Sequence, residues 1–154
     1  MRFYFEALLL RCVLVLLLSS IPFVSTPAAA TFQKTVDGIV VNMGIVPAAQ
    51  ARALPGESDK HPARLASGAQ HLLISLTDAK TGAHISGAEV TVEVRGPRGK
   101  TERLALAEAT TAGVPDYSGI ATFAWAGKYA IKVMVRPKDS KRPLTTTLTW
   151  THDI

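Results

Sequence analysis

The chain has 154 residues, with 17 Lys and Arg against 12 Asp and Glu, a net charge of +5 and one cysteine. A modest positive excess spread along a chain serves solubility and does not mark a nucleic-acid surface. A single cysteine gives no disulfide framework, so stability must come from one buried core, which a domain of this size can supply.

The first 30 residues carry Arg2 and Arg11 ahead of the apolar run CVLVLLL, then Pro22 and Pro27, and end in Ala28-Ala29-Ala30. A short basic start, an apolar run and a small-residue end are the marks of a secretory signal peptide, with cleavage expected after Ala30. A retained membrane anchor needs roughly 20 apolar residues, and the stretch between Arg11 and Ser19 is far shorter. Cys12 opens the apolar run directly after Arg11 and leaves with the leader, which also argues against lipid attachment. Thr31 to Ile154 remains, as one domain with 15 Lys and Arg against 11 Asp and Glu. Membrane contact is then expected only through an uncleaved leader or a partner.

Along this part the dominant apolar period is two, which is the strand period. VDGIVVNMGIV, Val36 to Val46, puts Ile39, Val41, Met43 and Ile45 on one face as a first strand. PAAQARALPGESDKHPARLASGAQ, Pro47 to Gln70, has three prolines and no apolar period. It reads as a long surface loop with room for a helical turn around Ala48 to Ala53, and long loops are often functional. HLLISLTDA directs Leu72, Ile74 and Leu76 inward and turns at Asp78 to Gly82.

AEVTVEV alternates Val90, Val92 and Val94 against Thr91 and Glu93, a strand with one dry face. GPRGK is a hairpin turn, TERLALAEA a strand with Leu104 and Leu106 in phase, SGIATFAWAGKYAIKVMV two strands, and LTTTLTWTH the last. About seven antiparallel strands joined by Gly, Pro and Asp turns predict an all-β, immunoglobulin-like sandwich, with a small barrel as the alternative. In that sandwich Tyr129, Ile131, Val133 and Val135 fill the core from one sheet, and Val90, Val92 and Val94 from the other.

HLLISLTDAKTGAHISGAEVTVEV and YSGIATFAWAGKYAIKVMV together resemble the small exported sandwich domains called YtkA-like, and more loosely the FixH-type and CopC-type domains. The shared features are a D-x-x-T-G turn, Gly before an alternating strand, and a G-x-Y followed by the last strands. The resemblance implies a periplasmic accessory or binding protein without enzymatic activity, in several cases linked to copper. CopC-type proteins commonly use a histidine at the mature N-terminus, where this chain has Thr31-Phe32-Gln33. It also has no His-x-His pair and no Met-rich run.

Candidate ligands must therefore come from separated residues. His61 and His71 flank the long loop, and neutral imidazole is the commonest metal ligand. Met43 shares the inward phase of its strand and reads first as a core gap-filler. Met134 lies on the outward face with Lys132 and Arg136, as a chance exposure or part of a soft-metal patch. His84 sits in a turn needed for geometry, and His152 near the end of the chain.

The basic turn RPKDSKRP offers Arg136, Lys138, Lys141 and Arg142 to an acidic partner, or is only a solvated turn. No G-x-S-x-G elbow, glycine-rich phosphate loop or H-E-x-x-H occurs, so no enzyme is expected. Two readings follow. The first is a non-enzymatic periplasmic accessory module engaging an envelope protein. The alternative is a periplasmic copper-binding protein using His61, His71, Met43 and Met134.

Overall fold

The structure, a computed structural model, describes residues 30–53, 64–111, 113–140 and 142–153. Eight strands and one short helix follow in order: β1 Ala30–Val36, β2 Ile39–Pro47, α1 Ala48–Arg52, β3 Ala69–Asp78, β4 Glu89–Arg95, β5 Thr101–Thr111, β6 Val114–Thr122, β7 Gly127–Arg136 and β8 Leu144–His152. All pairings are antiparallel, and the hydrogen-bonded order is β1-β2-β3-β6-β5-β4-β7-β8.

The long strand β5 bends this ribbon into two layers. Its first half, Thr101 to Leu106, pairs with β4, and its second half, Ala107 to Thr111, pairs with β6. A first sheet of β1, β2, β3 and β6 therefore faces a second of β4, β7 and β8. At the far edges the Lys34 ammonium donates to the Thr147 carbonyl at 3.5 Å, so β1 and β8 approach and the sandwich is nearly a closed barrel. β4, β5 and β6 follow as hairpins with β7 beside β4, which is a Greek key.

Alternation places the core. Val41, Met43, Ile45, Leu72, Ile74, Leu76 and Tyr117 come from the first sheet, and Val90, Val92, Val94, Ile131, Val133 and Val135 from the second, all essentially buried. Each contributes on the order of 1.5 to 3 kcal/mol by leaving water.

Three details depart from the sequence reading. Val36 and Ile39 belong to different strands, because Asp37 and Gly38 take positive φ values of 47° and 77° and form a two-residue hairpin that separates an eighth strand, β1. β4 and β7 are neighbours in one sheet, not opposite layers, with Val92 directly across from Val133. Within the expected loop, Ala48 to Arg52 is helical and packs Ala48 and Ala51 inward against β2 and β3.

Candidate functional site

The strand directions sort the turns into two ends. One end gathers the β1–β2 turn, the β3–β4 crossing and the β7–β8 turn. The other gathers α1, the start of β3, the β4–β5 hairpin, the β6–β7 turn and the end of β8.

At the first end the polar groups hold backbone. The Asp78 carboxylate accepts from Lys80 N–H at 2.9 Å, Thr81 N–H at 2.8 Å and Thr81 hydroxyl at 3.0 Å. Those bonds, led by the Thr81 backbone N–H, hold its pKa below the ordinary carboxylate value. The D-x-x-T-G motif is thus a turn. Beyond it the fully buried Tyr117 hydroxyl accepts from Ala88 N–H at 3.0 Å and donates to the Ile85 carbonyl at 3.2 Å. Burial pushes the Tyr117 phenol up, and the nearby Glu108 charge adds to that. Glu108 itself accepts from Gly87 N–H through both oxygens, at 3.0 and 2.9 Å. His84 is exposed here and joins only an isolated bridge to Thr77.

Of the basic turn at this end, Arg136 is tied to Glu89 at 3.0 Å, Lys138 and Arg142 are exposed, and Lys141 lies outside the described residues. The exposure of the Arg136–Glu89 pair limits its contribution to well under about 1 kcal/mol.

The candidate metal ligands do not converge. Met43 is fully buried and points into the core. His71 is also buried, yet it pairs with Val46 and Ile120 on the outward phase of the first sheet. Met134 is half-buried on the outer face of the second sheet, opposite Thr91 and Thr145. Three ligands on three separate surfaces cannot hold one ion. His61 lies outside the described residues. Among the described residues no three His, Cys, Asp or Glu side chains come together as a metal site.

The second end has a different character. Phe123 stacks edge-on to Tyr129 at 4.8 Å and to Trp150 at 4.6 Å, and the His152 ring lies 4.9 Å from Trp150. These rings close the core. Beside them a cavity of about 310 Å³ opens between the β4–β5 hairpin and the β6–β7 turn, over Val94 and Tyr129.

Its rim carries Arg98, Lys100, Glu102 and Trp125, the last 46 % exposed. Gly96 gives the cavity its floor, since a Cβ there would stand 2.9 Å from the Tyr129 ring. The Tyr129 hydroxyl accepts from Trp125 N–H at 3.2 Å and donates to its carbonyl at 2.9 Å, fixing the backbone under the indole. The Arg98 guanidinium lies 3.4 Å over the Trp125 ring, and Glu102 accepts from Thr122 N–H at 3.0 Å. Sequence reasoning passed over this group because Trp125 stood inside an apolar run. Its signal was the break in alternation at Ala124-Trp125-Ala126-Gly127 facing the GPRGK turn.

In sequence, no family model and no curated protein matches this chain. In fold it is similar to a DUF4426 family protein from Pseudomonas aeruginosa, with TM-score 0.65 and 11 % identity over 79 % of this chain and 94 % of that one. A copper-bound variant of FetP from uropathogenic Escherichia coli gives TM-score 0.62 and 12 % identity over 80 % and 95 %. Copper-reconstituted P19 protein from Campylobacter jejuni gives 0.63 and 11 % over 82 % and 97 %.

Proposed function

We propose that this chain is a non-enzymatic binding module of the cell envelope, exported to the periplasm, with copper as the ligand its fold favours. The observation that carries the reading is the likeness, over four-fifths of the chain, to copper-bound FetP and copper-reconstituted P19. The YtkA-like pattern of the D-x-x-T-G turn and the G-x-Y strand agrees with such a module. The described donors alone do not fit a copper ion: Met43, His71 and Met134 face three ways, and no acidic or histidine cluster joins them. Copper on this chain therefore depends on His61, joined by other donors or by a partner's.

Titrating the purified protein with Cu(I) and Cu(II) tests this. One equivalent bound more tightly than about micromolar, and lost in His61→Ala, is expected. Binding weaker than that removes the copper reading.

A second reading, docking to an envelope protein, is favoured by the outer face of the first sheet. Val40, Asn42, Gly44, Leu73, Ser75, Ser118 and Ile120 form a surface without exposed charge, in which Asp116 is buried. All of these residues are half-buried, and a partner would complete the burial of this uncharged face. Capture of one envelope protein by the wild type and not by Ser75→Arg supports it, and equal capture by both removes it.

A further inference from the structure

We infer that the mouth between the Gly96–Lys100 hairpin and the Phe123–Ala126 turn binds a small acidic sugar, at a site that does not depend on the copper reading. Trp125 is the first reason. It is the only large hydrophobic residue exposed among the described residues, and the core does not need it, because Phe123, Tyr129 and Trp150 already close that end. Leaving an indole half in water forgoes burial that folding otherwise seeks. Here its backbone is pinned at both N–H and C=O by the Tyr129 hydroxyl. With its backbone fixed and one face covered by Arg98, the remaining exposed surface of the ring is a platform for the C–H face of a sugar.

Charge is the second reason. Arg98 lies flat on the indole, which orders its guanidinium while its N–H edge stays free to take a carboxylate through two parallel bonds. Among the described residues neither Arg98 nor Lys100 has a carboxylate partner, although Glu102 stands on the same rim. Glu102 is engaged by Thr122 N–H through one oxygen and keeps lone pairs for ligand hydroxyls. Two cations against one carboxylate leave the rim at +1, which matches a singly negative ligand better than a neutral sugar or a zwitterion.

Size is the third. About 310 Å³ is at the small end of ligand cavities and has room for one sugar ring.

The test uses the purified full chain and D-glucuronate, D-galacturonate, D-glucose and glycylglycine as probes. The readout is the Trp125 indole N–H resonance, identified by its loss in Trp125→Phe. Both acids are expected to shift it saturably with a Kd of about 1 mM or tighter, and D-glucose at least tenfold more weakly. Arg98→Ala, on an exposed turn and checked by circular dichroism for an unchanged fold, should weaken uronate binding at least tenfold. Lys100→Ala should weaken it about two- to fivefold. Equal binding of D-glucose, tighter binding of glycylglycine, an unaltered Kd in Arg98→Ala, or no saturation by about 10 mM of either acid would each overturn the assignment.

Discussion

The two ends of the sandwich use similar residue types for opposite purposes. At the end carrying Asp78, Tyr117 and Glu108, hydroxyls and carboxylates are spent on backbone N–H and C=O groups of the β3–β4 crossing. At the other end the Tyr129 hydroxyl also grips backbone, but what it holds is an exposed tryptophan beneath an arginine. The D-x-x-T-G part of the family-like pattern lies at the holding end, and its G-x-Y part, through Tyr129, lies at the other. The D-x-x-T-G element thus marks a turn that the fold requires, while the proposed ligand mouth is framed by the 96–100 hairpin and the 123–126 turn.

Substitutions should separate the two ends. Tyr117→Phe strands the Ala88 N–H and the Ile85 carbonyl inside the protein and should cost about 1–3 kcal/mol in urea unfolding, leaving the Trp125 resonance in place. The same group gives an alkaline signature. Its folded pKa is raised above 10.0, so its stabilisation is complete below that value and is lost as pH rises through the folded one. That loss should be visible in the wild type and absent in Tyr117→Phe.

Between the ends, Thr146 on β8 has a buried hydroxyl without a partner. Thr146→Val keeps the shape, removes the orphan and should raise stability by about 1 kcal/mol. A drop in the unfolding midpoint would show that the hydroxyl is satisfied.

Asp78 should give a weaker acid effect. Its carboxyl is held below 3.8, so its support of the turn is present above that value and fades as pH falls through the folded one, and Asp78→Asn should flatten this slope. Smallest is Arg98→Ala, expected within about 0.5 kcal/mol of the wild type. A larger loss would make Arg98 a structural residue and erase the contrast between the ends.

The strands were legible in the sequence because apolar period two survives in β3, β4, β7 and β8. Period gives the face of a residue and not the neighbour of its strand, so alternation does not reveal that β4 and β7 pair side by side in one layer. β1 is hard to see in the sequence because Phe32 and Val36 are its only large apolar residues and the Asp37-Gly38 turn sits inside a run of alternating apolar residues. The outward phase of His71 and the inward phase of Met43 were both visible. Only the β2–β3 pairing shows that these phases put the two on opposite faces of one sheet. The burial of His71 on the outward phase of its strand is a tertiary feature that no local pattern encodes.

The division of labour between the ends is tested most directly by following backbone amide resonances of the isotope-labelled protein during titration with D-glucuronate. The account predicts shifts confined to residues 96–102 and 122–129, with 78–88 unmoved. Shifts centred on 78–88, or spread evenly over both ends, would contradict it.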